Sequence, residues 1–489
     1  MYVYEVPYLR YTYGVFFMIS VFSSIQKKQG YISIFVVVFG GVFLTIILGM
    51  VGFISLQKKA TEQKEAGERA MQIAEAGLNY YRWHLAHYPT DMQDGTGASG
   101  PYTHDYSDPE GGVIGSYTLD ISGNIACGTL TSVEVRSTGR TAEYPNVERT
   151  TYGKYARPSV AEYAYIVNDS VWAGDDRVIL GRYHANGGIR MDGTNYSLVT
   201  SGVSTWSCTP SFGCNPIRTK AGVFGDGPGS ALWEYPAETV DFTGLALNLG
   251  NLKTSVQNGG GLYFGVQSTR LNTLGYHLLF NANGTVTVYR VTRTDDIQSY
   301  TTEEDWKYLD EIIDRQSLVG TYTIPSGCSV IYVEDNVWVE GTVRGKITLI
   351  AANTVLSNTD ANVYLVDDIL YTTSDGSDGL TIVGENDVLI PYNVPYDMDL
   401  NGVFIAQKGR FGRNHYNSGS KDKRGTLTIH GSTISFKRVG TQWTTNGVYS
   451  SGFAERYDSY DRKLATDAPP FTPYVDDEYR FVEWREMDD

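Results

Sequence analysis

The chain has 489 residues and a formal net charge of −16, so its length predicts two or three structural units rather than one small domain. So acidic a chain repels phosphate backbones, and we do not expect nucleic acid among its partners. Tyrosine (37 residues) and glycine (53 residues) are abundant, which favours strands joined by tight turns.

The N-terminal segment contains a long apolar run. Residues 31–56 hold no Asp, Glu, Lys or Arg, and as a helix they would be about 39 Å long, more than the roughly 30 Å of a bilayer core. A signal peptide has a shorter apolar core followed by a small-residue cleavage site. The run therefore predicts a single transmembrane helix.

The helical pattern continues beyond the apolar run. Small and apolar residues recur every three or four positions on one helix face, namely Gly67, Ala70, Ala74, Leu78, Tyr81 and Leu85. Charged residues occupy the other faces, and Pro89 predicts the end of the helix. We predict one stem helix over residues 31–88.

The residues before the apolar run carry a more specific signal. Lys27, Lys28 and Gly30 precede Tyr31, and this junction resembles the cleavage context of type IV prepilins. The segment AEAGL at 74–78 resembles a stretch found in PilX-type minor pilins. The resemblance implies that residues 1–30 are a leader and that a prepilin peptidase cuts after Gly30. Within residues 1–30, Met18 would start a shorter leader.

The same resemblance implies a function. Major pilins carry Glu at the fifth mature position, where this chain has Phe35, so we expect a minor pilin or pseudopilin. Such a protein is a structural or adhesive subunit of a cell-surface filament or secretion pseudopilus. The N-terminal helix would anchor it in the inner membrane, with the remaining domain outside the cytoplasm. Its partners would be other pilin subunits, the pilus assembly machinery and the prepilin peptidase.

The region after the stem predicts a mainly β ectodomain, so the fold class is α+β. Head strands are expected over 89–160, a first β-solenoid segment over 161–204, an inserted module over 205–325, and a C-terminal solenoid segment with a tail over 326–489. Short apolar runs separated by Asn and Gly favour the solenoid; a β-sandwich is the alternative. Within the module, Asn283-Gly284 predicts a hairpin tip, and residues 303–315 a helix.

Few residues suggest chemistry. Cys208 and Cys214 enclose a short loop and would form a disulfide outside the cytoplasm; a zinc site is the weaker interpretation because other ligands are lacking. We expect no metal and no cofactor. The candidate ligand-facing residues lie together in the first solenoid segment: Asp175, Asp176, His184 and Asp192.

Paired carboxylates of this kind serve glycosidases, but Asp, Asn and Gly also form turns, and turn chemistry explains the cluster without catalysis. We therefore assign no catalytic residues and do not expect an enzyme. The alternative is a membrane-tethered β-solenoid carbohydrate-active enzyme or carbohydrate-binding surface protein. The abundant tyrosines also suit contact with a glycan or another surface ligand.

Overall fold

The computed structural model describes residues 31–267, 274–301, 305–356, 359–417, 419–445 and 447–487. The chain divides into two units, one up to Ala66 and the other from Gly67 onward. Helix α1 (Tyr31–His87) begins in the first unit and ends in the second. Among the described residues, α1 is the one helix long and apolar enough to cross a membrane.

The described part of the first unit is helical, and residues 32–56 give it an apolar surface. Every residue from 32 to 61 is solvent-exposed, and large side chains such as Ile32 and Phe35 lie at 75% and 60% exposure. Because burying apolar surface is favourable, a helix that is apolar all round requires a lipid or protein environment.

In its described residues, the second unit holds the end of α1, three short α-helices and the β-structure. The short helices are α2 (Phe242–Leu245), α3 (Leu249–Gly259) and α4 (Arg462–Thr466). The strands up to the first long connection are β1 (Tyr102–Ser107), β2 (Val113–Ala126), β3 (Thr129–Thr141), β4 (Glu148–Ala156), β5 (Tyr163–Val167), β6 (Val171–Ala173), β7 (Arg177–Ile179), β8 (Arg182–Ala185), β9 (Ile189–Met191), β10 (Thr194–Asn195), β11 (Val199–Ser201), β12 (Thr205–Cys208), β13 (Arg218–Ala221), β14 (Val223–Phe224) and β15 (Trp233–Glu234).

The strands after α3 are β16 (Leu262–Phe264), β17 (Gly275–Asn281), β18 (Thr285–Tyr300), β19 (Lys307–Thr323), β20 (Val330–Val333), β21 (Asn336–Val343), β22 (Lys346–Ala351), β23 (Val363–Tyr371), β24 (Gly379–Gly384), β25 (Val388–Leu389), β26 (Met398–Ala406), β27 (Phe411–Gly412), β28 (His415–Tyr416), β29 (Lys423–Ser435), β30 (Gln442–Thr445), β31 (Val448–Ser459) and β32 (Arg480–Met487).

The first part of this unit, which we call the head, is an antiparallel sheet in the order β1-β2-β3-β4-β32. The end of α1 packs on it, and Leu78, Tyr81 and Leu85 share a core with sheet residues. The predicted helix face is confirmed, because all six of its residues are buried. Helix and sheet approach closely where Gly139 faces α1: a Cβ there would lie 2.1 Å from the Ala70 carbonyl oxygen.

The second part, which we call the stack, is built mainly from parallel ladders. The longest pairs strands in the order β16-β20-β22-β24-β26-β29-β5-β8-β11-β15, every pair being parallel. A second parallel ladder joins β17, β21, β23, β25 and β27. Aliphatic side chains from these ladders form one large buried cluster.

The chain enters the stack in its middle. It builds from β5 outward to β15, then begins again with β16 at the opposite end and returns until β29 and β31 pair with β5 and β7. We call this junction the seam. Ser432 and Tyr163, joined by a hydrogen bond across it, are 269 residues apart in sequence.

Two stacked glycines adopt an unusual backbone conformation in the long strands β26 and β29. Gly402 and Gly431 are paired in register, and both have φ of 148°, which side chains rarely tolerate. A Cβ at Gly431 would also lie 1.8 Å from the Gly402 carbonyl oxygen. Glycine is therefore required at both positions.

The fold is α+β, with a long apolar N-terminal helix followed by a mostly β domain, as predicted. Parallel ladders are what the solenoid interpretation requires, whereas a β-sandwich is made of antiparallel sheets. The sheets do not close, so the solenoid itself stays a prediction. The tail is predicted to belong to the C-terminal solenoid segment over 326–489. In the structure its last strand, β32, pairs with β4 in the head sheet.

Two local predictions in the 205–325 module have opposite outcomes. The hairpin at Asn283-Gly284 is confirmed, since β17 and β18 pair antiparallel up to Asn281 and Thr285. The helix over 303–315 is wrong: from Lys307 onward this segment is strand β19, which pairs along β18. A long partner strand satisfies its backbone groups, and this outweighs the helical spacing of its apolar residues.

Two disulfides are present. Cys208 and Cys214 are joined, with Cα atoms 5.6 Å apart, across a sequence separation of 6 residues. A second bond, which sequence analysis did not identify, joins Cys127 to Cys328 across 201 residues. Cys127 follows β2 in the head and Cys328 precedes β20 in the stack, so this bond ties the two parts covalently.

Candidate functional site

The seam is held by two buried ion pairs. Arg177 bonds to Asp458, and both side chains are at most 2% exposed. Arg456 donates two hydrogen bonds to Asp176, from Nε to Oδ2 at 2.5 Å and from Nη2 to Oδ1 at 2.7 Å. Burial opposes the charge on Arg177, but the Asp458 carboxylate outweighs it and raises the pKa of Arg177 well above its ordinary value.

A cavity of about 600 Å³ opens at the seam, and we call it the seam cleft. Its size falls in the range of small-molecule sites. The lining residues come from two separate stretches of sequence and one residue between β18 and β19: Trp172, Gly174, Asp175, Arg190, Asp192 and Asp226; Arg410, Arg438, Val439, Gly440, Gln442, Trp443, Thr444, Gly447 and Arg456; and Thr301.

The first wall is organised by Asp192. Its Oδ2 accepts hydrogen bonds from Trp172 Nε1 at 2.8 Å and from Arg190 Nε at 2.7 Å. Its Oδ1 accepts from the backbone N–H of Asp226 at 3.1 Å. The Arg190 guanidinium lies 4.1 Å from the centre of a Trp172 ring. Both oxygens of Asp192 are therefore occupied, while Asp175 and Asp226 are exposed at the edge.

The second wall carries two arginines that contact no carboxylate within the described residues. Arg410 is only 8% exposed, and its guanidinium bonds to the Asn414 side chain. Arg438 donates from Nη2 to the carbonyl oxygen of Ser211 at 2.9 Å. Burial lowers the pKa of Arg438, because a cation loses solvation there.

The indole of Trp443 is fixed in the second wall. Its Nε1 donates to the Arg413 carbonyl oxygen at 2.8 Å. Tyr300 and His415 meet its ring edge-on, each with centroids 5.8 Å away. Such contacts hold an aromatic side chain in one orientation, so the cleft presents a preformed ring surface.

The loop closed by Cys208 and Cys214 supports both walls. Arg190 from the first wall donates from Nη1 to the Phe212 carbonyl oxygen at 2.8 Å. Arg438 from the second wall bonds to Ser211 and lies 4.1 Å above the Phe212 ring. The small disulfide loop thus sets the positions of two guanidinium groups that line the cleft.

The four ligand-facing residues suggested by sequence are placed differently from one another. Asp175 and Asp192 line the cleft. Asp176 is held by Arg456, a lining residue. His184 does not line the cleft: Thr200 and Asn186 bond to its ring, and burial lowers its pKa. It serves the packing between β8 and β11.

Sequence analysis did not identify the second wall, including Arg410, Arg438 and Trp443. Nothing in the local pattern of either stretch points to the other, because partners across the seam are 280 residues apart. The pairing of β31 with β7 is what brings them together. Within the described residues, no group of three or more His, Cys, Asp or Glu residues could hold a metal ion.

The proposed processing residues Lys27, Lys28 and Gly30 lie outside the described residues, and Tyr31 is the first residue of α1. The cleavage between Gly30 and Tyr31 therefore stays a prediction.

Comparison with known proteins gives little guidance. No protein-family model matches the chain, and no curated protein matches it. Among solved structures, the chain is similar to the competence-associated pilin ComZ from Thermus thermophilus, with 12% identity. The match covers 86% of this chain and 97% of ComZ, but the TM-score is 0.27, which is too low to establish a common fold.

Proposed function

We propose that the chain is a minor type IV pilin or pseudopilin of the PilX type, a structural or adhesive subunit of a cell-surface filament or secretion pseudopilus. The observation that carries this proposal is helix α1. Its first half is exposed and apolar, whereas its second half buries one face on an antiparallel sheet. A single helix with both properties suits a subunit that is stored in a membrane and then packed among other stems.

The side chain at Phe35 supports a minor role. It is 60% exposed and stacks on Phe39 at 6.2 Å, and it offers no carboxylate to a neighbouring subunit's amine. The large stack points the same way, because closely packed stems leave little room for so large a domain on every subunit. The partners would be other pilin subunits, the assembly machinery and the prepilin peptidase. The protein would sit in the inner membrane with its β domain outside the cytoplasm.

The mature N-terminus tests the proposal. N-terminal sequencing of the membrane form should find Tyr31, and Gly30→Glu should block processing because a long charged side chain replaces the smallest residue at the cut. Gly14→Glu, the same change farther upstream, is the matched control and should be processed normally. A mature protein that keeps Lys27 and Lys28 would leave only a membrane anchor.

Abundance tests the minor role. Quantitative mass spectrometry of sheared filaments should find this chain well below the main pilin. If it is the most abundant pilin there, the minor assignment fails while the pilin assignment stands.

The seam cleft favours one alternative, a membrane-tethered carbohydrate-active enzyme, because Asp175, Asp192 and Asp226 line one cavity. We propose that the cleft is not catalytic. Asp192 already binds Trp172, Arg190 and the backbone of Asp226, so it is poorly placed to exchange a proton or attack a substrate. An assay for hydrolysis separates the two functions.

A further inference from the structure

We propose that the seam cleft binds an acidic saccharide, whose carboxylate meets Arg410 and Arg438 and whose sugar rings lie between the walls that carry Trp172 and Trp443. This deepens the adhesive part of the proposed function. Binding is a property of the cleft alone, so it can fail or succeed independently of filament assembly.

The charge of the ligand follows from the second wall. Arg410 is more than nine-tenths buried, lines the cavity, and its guanidinium bonds only to a neutral amide within the described residues. Arg438 likewise has a carbonyl oxygen and an aromatic ring as its partners. Neither guanidinium has a carboxylate within ion-pair distance among the described residues, and the charges of Asp169 and Glu311 act on Arg438 and Arg410 only at longer range. An anionic group in the cleft would give both guanidinium groups a direct, charge-assisted partner.

The sugar character follows from the remaining lining. Indole rings offer an apolar surface for the C–H faces of a pyranose, and Trp443 is held rigidly by Tyr300 and His415. Asp175 and Asp226 are exposed on the opposite wall, where carboxylates can accept bonds from vicinal hydroxyls. These same carboxylates, in a chain of net charge −16, repel the many phosphates of a polynucleotide.

Specificity depends on the disulfide loop. Arg190 and Arg438, one from each wall, are both positioned by the loop between Cys208 and Cys214. Holding both guanidinium groups in place before binding lowers the ordering cost of the complex. Opening this disulfide should therefore weaken binding without removing any group that touches the ligand.

The test is calorimetric titration of the full chain in detergent with matched ligand pairs. The pairs are trigalacturonate with its methyl ester, and sialyllactose with lactose. At least one acid should bind about tenfold or more tightly than its uncharged counterpart, as expected for charge-assisted bonds. Equal binding within both pairs, no binding of either acid, or tighter binding of a ten-nucleotide single-stranded DNA overturns the proposal.

Two variants of opposite sign locate the site. Arg438→Gln should weaken binding of the acid about tenfold or more and leave the ester unchanged. Asp175→Asn should strengthen binding of the acid a few-fold, because the exposed amide still meets a hydroxyl but no longer repels the ligand. Arg344→Gln, an exposed residue between β21 and β22, is the control and should change nothing. Because Asp175 is exposed, Asp175→Asn should fold normally and tests the site even if Arg438→Gln misfolds. If Asp175→Asn leaves the affinity for the acid unchanged, the proposal is overturned.

Discussion

The head and the stack are each stabilised by strand pairings, but these pairings differ in how far apart the partners are in sequence. In the head, β1 to β4 pair with their neighbours in sequence, while β32 joins β4 from far along the chain. Ion pairs between its strands include exposed ones, such as Arg140 with Glu148. In the stack, the decisive pairing is across the seam, where charged partners about 280 residues apart are buried. Strands that pair with their sequence neighbours tolerate the loss of single contacts. The seam, which joins segments far apart in sequence, depends on a few strong ion pairs.

The largest effect is expected at the seam. Asp458→Asn removes the charge facing the buried Arg177 guanidinium and should lower the free energy of unfolding by about 3–5 kcal/mol. Glu148→Gln, which breaks an exposed pair in the head, should cost less than about 1 kcal/mol. Urea unfolding of the full chain in detergent measures both, and equal losses would remove the distinction between the two parts.

A pH experiment compares a buried acid in the stack, Glu311, with a half-buried acid in the head, Asp91. Burial raises the pKa of Glu311 to about 7, against bonds from Tyr416 and Tyr392 that favour its charge. The carboxyl of Glu311 has its ordinary pKa of 4.5 in the unfolded chain, so between pH 4.5 and about 7 it is protonated in the native state and ionised in the unfolded state. The free energy of unfolding therefore falls as the pH rises through this range. The loss is about 3 kcal/mol in the stack, and Glu311→Gln should abolish it.

Asp91 in the head should behave oppositely. Burial opposes its charge, but backbone N–H groups of Gln93 and Gly95 and the side chain of His84 lower its pKa. Its contribution is present above the unfolded pKa and lost as pH falls. Hydrogen exchange resolved by region should show the head loosening in acid and the stack loosening toward neutral pH. The same slope in both parts would contradict this assignment.

The two disulfides sharpen the comparison further. Cys127→Ser with Cys328→Ser opens a loop of 201 residues between head and stack, and stability should fall by about 2–5 kcal/mol. Cys208→Ser with Cys214→Ser opens a loop of 6 residues within the stack and should cost about 2 kcal/mol. Thermal unfolding of the two double variants gives the ranking; a larger loss from the short loop would show that native packing outweighs chain entropy.

The packing of helix on sheet makes the head sensitive at one position. Gly139→Ala places a methyl group 2.1 Å from the Ala70 carbonyl oxygen and 2.4 Å from the Ala74 nitrogen. We expect a loss of about 1–3 kcal/mol as helix and sheet move apart. Gly327→Ala is the matched control, because a Cβ there has no neighbour within 4 Å. Circular dichroism during urea unfolding follows both variants, which should differ.

The smallest expected effect is in catalysis, where we predict none. The full chain should release no reducing or unsaturated ends from bacterial and plant polysaccharides, with or without calcium. Asp175→Ala should leave this result unchanged. Release that disappears in Asp175→Ala would assign the cleft to the enzymatic alternative.

Sequence patterns predicted the head far better than the seam. The buried face of α1, from Gly67 to Leu85, is visible because its residues recur within one element. The hairpin at Asn283-Gly284 is visible for the same local reason. The strand that begins at Lys307 was mistaken for a helix because its partner decides its conformation. The cleft could be only half anticipated, since Asp175 and Asp192 lie in one stretch of sequence and Arg410 and Trp443 in another.

The order of the strands has a consequence for synthesis. Strands β5 and β7 are made early, but Asp458, which must pair with Arg177, follows 281 residues later. At about 5–20 residues per second, a ribosome needs roughly 15–55 s to reach it. During that time, β5 and β7 present open edges, which are sites of aggregation. A cell making this protein must therefore shield a half-finished edge for far longer than the pairing of β1, β2, β3 and β4 with one another requires.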